Sequence, residues 1–159
     1  MLISLVPFSF VLAGVARDES RGRRAAEPAA DGCGRNLGLL TRAGMELGAL
    51  NAAGTACPNY HQASGRFIYK TLVLYDAPSQ ELSHVLYEAM AFIEDALAAG
   101  GCIFVHCQQG VSRSATIVLA FLMRERGMSL DAAIAWLHKR RWIRPNEAFL
   151  EQLLCTWHP

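Results

Sequence analysis

The stretch from Cys102 to Arg126 constrains the fold more than any other part of the chain. It opens on Cys-Ile-Phe-Val-His, passes through a polar turn containing Gly110, and runs on into Thr-Ile-Val-Leu-Ala-Phe-Leu-Met. A short apolar run with two glycines before it and a turn after it reads as a strand buried on both faces, as in a parallel sheet. A helix that is apolar nearly all round belongs to the interior of a domain. A buried strand feeding a buried helix is the unit of a layered α/β protein, so the rest of the chain must supply sheet partners and covering helices.

Those partners are legible. Phe67 to Tyr75 (FIYKTLVLY) is rich in β-branched and aromatic residues and reads as a strand, and Leu47 to Ala52 as a shorter one. Cys57 to Gly65 reads as a loop. Pro78 and Ser79 open a helix with Ser79 at its N-cap. Leu82, Val85, Leu86, Ala89, Ile93, Ala96 and Leu97 follow at helical spacing until Gly100 and Gly101 stop it. Asn36 to Ala43 predicts a short helix ended by Gly44, and Gly127 ends the buried helix from Ala115 to Arg126. Ser129 caps a further helix running to Lys139 or Arg140. Pro145 and Asn146 begin the last, with Phe149, Leu150, Leu153 and Leu154 inward. The expected fold class is α/β: a central, mostly parallel sheet of about four or five strands with helices on both faces.

Residues Arg17 to Arg35 are polar, mixed in charge and rich in Ala and Gly, the composition of a linker. Met1 to Ala16 is apolar, but it lacks a positive n-region and contains Pro7. It therefore reads as a surface strand or a misassigned start rather than a signal peptide. The chain divides into an N-terminal segment, 1–35, and a globular domain, 36–159. No run approaches the roughly 18 apolar residues of a spanning helix, so no membrane span is expected.

With 15 basic and 14 acidic residues the net charge is +1, which gives no overall pull toward nucleic acid. No nucleic-acid partner is expected. The five cysteines are irregularly spaced and form no C-x-x-C pair, which argues against a zinc site. Their odd number would leave one thiol over in a disulfide framework. They read as reduced, intracellular thiols, placing the chain in the cytoplasm or nucleus.

The chemistry lies in His106 to Ser114, H-C-Q-Q-G-V-S-R-S. A loop between a buried strand and a buried helix points several backbone N–H groups at one spot, and the helix adds its positive end. Gly110 permits the close approach or positive φ that such a nest needs. Arg113 can fold back and grip two phosphate oxygens with its planar fork. The amides of Gln108, Gln109, Gly110, Val111, Ser112 and Arg113 form the expected phosphate-binding set. Cys107 lies at the bottom of this positive site, where helix termini and cations favour a thiolate. A thiolate beneath a phosphoryl group is aligned for in-line attack. A lone free cysteine is usually an inert buried thiol, but the company of His106, Gly110, Arg113 and Ser114 sets Cys107 apart. Ser114 offers the sulfur a hydroxyl, and His106 reads as an orienting residue. Cys102 and Cys155 sit in apolar patterns and read as inert.

Transfer to sulfur also needs a proton for the departing oxygen. Asp76, in the loop Tyr-Asp-Ala-Pro-Ser after the strand at 67–75, is the candidate acid. Sites in open α/β sheets gather beyond the carboxyl ends of the strands. The same carboxyl could then activate water as a base.

These residues resemble the dual-specificity protein phosphatases. The loop HCQQGVSRSA fits their H-C-x5-R-S pattern at every defining position, and the likeness extends from about Gly44 to His158. It takes in the acid loop around Asp76, the Ala96–Gly101 lead-in, the TIVLAFLM helix and the closing P-N-x-x-F-x-x-Q-L from Pro145. Within the family, residues 50–97 look most like the plant-type MAP kinase phosphatases. The resemblance implies a phosphotyrosine protein phosphatase-like fold and catalytic roles for Cys107, Arg113 and Asp76, with no metal or other cofactor. It also implies a phosphoprotein substrate, a MAP kinase by subfamily. One alternative is a non-protein substrate: a phosphoinositide, a glucan or an RNA 5′-phosphate. Lipid phosphatases of this kind tend to carry lysines in the loop, where this chain has Gln108, Gln109, Val111 and Ser112. Another alternative is a non-catalytic phosphoprotein-binding module, but such proteins typically lose the nucleophile. The chain departs from the family pattern before Asn51, where it reads Met-Glu-Leu-Gly-Ala-Leu.

His138 to Arg144 reads H-K-R-R-W-I-R. The bland interpretation is a solvated helix end, since cations suit a helix C-terminus. The functional ones are docking of an acidic or phosphorylated partner, or of an anionic headgroup. The run is expected to stand apart from the anion nest, with Trp142 as a core anchor for the Pro145 turn.

Overall fold

Strand β5, Cys102–His106, occupies the centre of the sheet. The computed structural model describes residues 2–6, 9–13, 47–59, 62–65 and 67–157. Within them the other strands are β1 (Leu2–Val6), β2 (Ser9–Ala13), β3 (Leu47–Asn51) and β4 (Phe67–Thr71). The order across the sheet is β1-β2-β5-β3-β4. β3 pairs in parallel with both β4 and β5, whereas β2 is antiparallel to β5 and to β1. Only two residues separate β1 from β2, a link that allows a hairpin but no parallel crossover. The parallel character is thus confined to the β5-β3-β4 side of the sheet. Two strands of the N-terminal segment complete the other side.

Alternation along the strands sorts their side chains. Ile103 and Val105 of β5 and Leu50 of β3 enter the main core and are fully buried. The core's helices are α1 (Ser83–Ala98), α2 (Arg113–Arg126), α3 (Leu130–His138) and α4 (Glu147–Thr156). α1 supplies Leu86, Ala89, Met90 and Ile93 to this core. Each fully buried Leu, Ile or Met side chain contributes about 1.5–3 kcal/mol. Gly48 of β3 leaves room for its neighbours: a Cβ there would overlap Ile103 Cδ1 of β5 and touch the Ala96 methyl of α1. Every residue of α2 from Arg113 to Met123 is buried, which accounts for its all-round apolar sequence.

α1 and α2 both lie against β5 and touch each other, and α2 carries α3 and α4. The described helices therefore pack together against the face of the sheet that carries Ile103 and Val105. The other face holds the rings of Phe67, Tyr69, Phe104 and His106. The helix expected at 36–43 lies outside the described residues.

Several boundaries differ from the sequence expectation. β4 stops at Thr71, not Tyr75, because β3 ends at Asn51 and leaves no ladder beyond. Leu72 N–H still takes the Asn51 carbonyl at 2.8 Å, and Leu72 and Leu74 stay buried while Val73 and Tyr75 point outward. That in–out alternation is what resembled a longer strand. The helix expected from Ser79 begins at Ser83 instead. The residues between are held in a turn by Gln80 N–H to the Ala77 carbonyl, and the Glu81 carboxylate accepts from Ser83 N–H. The 57–65 loop begins against a 3-10 turn, Gly54–Ala56, and contains another, Gln62–Ser64. Ser129 and Asn146 cap α3 and α4 through their side chains. Leu154, expected inward, is exposed because it lies off the face that buries Phe149 and Leu153.

Candidate active site

Cys107 follows β5 directly and sits on the helix side of the sheet, only 4% exposed. The chain then turns back at Gly110, whose φ of +68° is easily adopted without a Cβ. That turn aims Gly110 N–H at Cys107 Sγ, 3.2 Å away. Ser114 Oγ, in the first turn of α2, also lies 3.2 Å from the sulfur. The first amides of α2 have no intrahelical acceptors and add positive potential at this end.

Arg113 is 9% exposed and closes the loop. One terminal nitrogen donates to the Leu74 carbonyl at 3.2 Å and the other to Gln108 Oε1 at 3.4 Å. Among the described residues its buried Nε has no hydrogen-bond partner. A buried guanidinium donor without a partner is costly unless a ligand oxygen accepts from it. A tetrahedral oxyanion suits this arrangement of sulfur, backbone amides and arginine fork. Gln108 and Gln109 are exposed at the rim, while Gly110 and Ser112 are buried.

Asp76 enters from the segment after β4. Its Oδ1 accepts a 2.8 Å hydrogen bond from the Ser112 hydroxyl, which brings the carboxyl to the edge of the loop. Cys107, Arg113, Ser112, Ser114 and Asp76 thus converge on one end of the parallel strands. His106 does not join them. Its ring lies on the opposite face, edge-on to Tyr69 at 6.4 Å between centroids and 5.4 Å from Phe104. Burial holds its pKa below the ordinary histidine value. His106 Nδ1 is 3.8 Å from Cys57 Sγ. Burial pushes the Cys57 thiol up, Cys107 pushes in the same direction, and Arg113 opposes them. Cys57, which carried no signal in the sequence, is therefore within electrostatic reach of the site.

The chain matches the dual specificity phosphatase catalytic domain over residues 40–157. The chain belongs to the dual specificity phosphatase family. It is 42% identical over 106 residues to the protein-tyrosine-phosphatase MKP1 of Arabidopsis thaliana, covering 66% of this chain and 13% of that protein. It is 43% identical over 111 residues to human dual specificity protein phosphatase 1, covering 69% of this chain and 30% of the relative. The chain thus spans less than a third of the length of these relatives. Among solved structures it is similar to a mouse putative dual specificity phosphatase complexed with zinc tungstate. That likeness has a TM-score of 0.62 and 34% identity over 76% of this chain and 74% of the other.

This dual specificity phosphatase domain also ties to its site two residues that the sequence did not connect with it. Asn146 N–H donates to Ser112 Oγ at 3.1 Å. Gln152 takes Leu82 N–H at 2.8 Å and gives its own N–H to the Gln80 carbonyl at 2.9 Å. Both residues stand in the closing P-N-x-x-F-x-x-Q-L segment. The available signal was a polar amide, Gln152, one residue before the inward Leu153. The basic run is not separate from the site either. Arg144 N–H donates to the Val111 carbonyl at 3.0 Å, and Arg141, pulled below its usual pKa by burial, feels the opposing field of Cys107. Trp142 is 64% exposed and Ile143 only 2%, so Ile143 anchors this turn in place of the tryptophan. Arg140 and Arg141 N–H both return to the Leu137 carbonyl, a tight turn after which residue 143 faces the core.

Proposed function

We propose that this domain hydrolyses phosphotyrosine and phosphoserine/threonine esters in proteins through a phosphocysteine on Cys107. The observation that carries the reading is the buried Arg113 fork, with one donor unmatched, beside the Cys107 sulfur and its Gly110 N–H and Ser114 neighbours. Arg113 and the loop amides hold the phosphoryl oxygens. The Cys107 thiolate attacks phosphorus, the ester P–O bond breaks, and Asp76 gives its proton to the departing oxygen. Asp76 then takes a proton from water as that water attacks phosphorus. The S–P bond breaks, inorganic phosphate leaves and the thiolate is restored.

A protein substrate is supported by the relatives' names and by a rim of uncharged Gln108 and Gln109. A MAP kinase target, in the cytoplasm or nucleus, is part of this proposal and rests on the subfamily resemblance of the sequence. The test is turnover of doubly phosphorylated kinase-loop peptides beside inositol phospholipids. Cys107→Ser should abolish turnover while still retaining phosphopeptide, and Asp76→Asn should lower kcat by about 10²–10⁴-fold. Undiminished activity in Cys107→Ser would overturn the mechanism. Faster hydrolysis of the lipid would overturn the protein substrate.

A further inference from the structure

Ser112 occupies the N-cap position of α2, where a serine hydroxyl ordinarily accepts from an amide of the first turn. Here it makes no cap bond. Its oxygen accepts instead from Asn146 N–H at 3.1 Å, and its proton goes to Asp76 Oδ1 at 2.8 Å. Ser112 is 8% exposed, so water competes little for either bond. The direction of the chain is fixed at one end: a backbone N–H can only donate, so the serine oxygen receives there and the serine proton points at the carboxyl. The omitted cap has a second consequence. The first amides of α2 stay available to an anion rather than to their own serine.

We infer that Ser112 is the positioning residue for Asp76, setting which carboxyl oxygen faces the leaving group. The inference rests on the acid–base role proposed above for Asp76. Oδ1 is occupied as an acceptor, which reserves Oδ2 to carry the proton. The bond holds in both halves of the reaction. In the neutral carboxyl the carbonyl oxygen Oδ1 still accepts while Oδ2–H donates; in the carboxylate Oδ1 accepts more strongly. The acid can therefore become the base without releasing its anchor. The anchor is one end of a frame, because α4 and its N-cap provide both Asn146 N–H for the serine and Gln152 for residues 80–82.

The test is the dependence of kcat/KM on leaving-group pKa across a series of aryl and alkyl phosphates. Asp76→Asn, Ser112→Ala, Ser112→Val and Ser112→Thr are compared with the parent protein. A residue that positions the acid matters most where the leaving oxygen is most basic. A merely structural one lowers all substrates by a common factor. The expected result is a steeper slope in Ser112→Ala and Ser112→Val, with about a tenfold larger loss on the most basic leaving group than on the least basic. Asp76→Asn steepens further. Ser112→Thr, which matches valine in shape and keeps the hydroxyl, should return toward the parent slope. If Asp76→Asn steepens the slope and both Ser112→Ala and Ser112→Val do not, the serine's role is overturned and the acid stands. If Asp76→Asn leaves the slope unchanged, the acid assignment fails and the serine proposal with it.

Discussion

The two halves of the candidate site are built in opposite ways. The anion cradle, Cys107 to Ser114, is one continuous segment, and its shape comes from its own backbone: Gly110 turns it, and the start of α2 closes it. The acid segment, Leu72 to Leu82, has no regular structure, and its anchors come from elsewhere. Arg113 holds the Leu74 carbonyl, Ser112 holds the Asp76 carboxyl, and Gln152 holds both Gln80 and Leu82. The proposed reaction, in which one carboxyl serves as acid and then as base, needs a fixed phosphate position and an accurately placed carboxyl. In this fold the first is a local property of eight residues and the second belongs to the whole domain. Among the described residues, Arg113 and Ser112 serve both.

The most severe way to break the comparison is Arg113→Lys. A lysine keeps the charge but loses the fork and cannot span both the ligand and the Leu74 carbonyl. We expect kcat/KM to fall by about 10²–10³-fold, the size seen when one transition-state donor is removed. Inorganic phosphate should become a poorer competitive inhibitor in the same variant. Unchanged inhibition by phosphate would mean that Arg113 supports the acid segment alone.

The contrast explains what could be read from the sequence. The cradle was legible because strand, turn residue, arginine and helix stand within thirteen consecutive positions, Cys102 to Ser114. β5, α2 and the caps at Ser129 and Asn146 were legible for the same reason, since each depends on neighbours in sequence. The acid segment was legible only as a candidate, Asp76, and its frame was not. The in–out alternation of Leu72 to Tyr75 looked like more strand, though the ladder with β3 ends at Asn51 and Thr71. Ser79 looked like a cap, yet the backbone it would cap is held by Gln152, some seventy residues on. The exposed Trp142 beside the buried Ile143 is a similar case, since the turn around Leu137 decides which of them faces in.

An intermediate perturbation acts on the acid segment alone. Gln152→Ala removes two side-chain bonds and leaves Leu82 N–H and the Gln80 carbonyl without these partners. The cost should be about 1–3 kcal/mol of unfolding free energy, read from denaturant midpoints at constant m. Turnover of substrates with basic leaving groups should fall several-fold, roughly the share of a general acid's effect that positioning supplies. Inhibition by inorganic phosphate should stay close to that of the parent. A parallel loss of phosphate affinity would show that the two regions are not independent.

The smallest effect concerns the floor beneath the cradle. His106 is buried among Tyr69 and Phe104, and burial lowers its pKa from the ordinary 6.5. Between that lowered value and 6.5 the unfolded chain binds the proton and the folded chain does not. Stability from this residue is therefore fully present above the ordinary histidine pKa and is lost as pH falls through the window below it. One such group contributes at most about 1.4 kcal/mol per pH unit. His106→Gln, which cannot titrate, should flatten the pH dependence of the unfolding free energy in this window by up to that slope. The comparison to make is the difference between the two curves, because carboxylates such as Glu88, whose pKa is lowered chiefly by its hydrogen bond from Lys70, affect both equally and at lower pH. Parallel curves would mean that His106 is hydrated in the folded protein. The cradle would then rest on a softer floor than the packed rings of Tyr69 and Phe104 indicate.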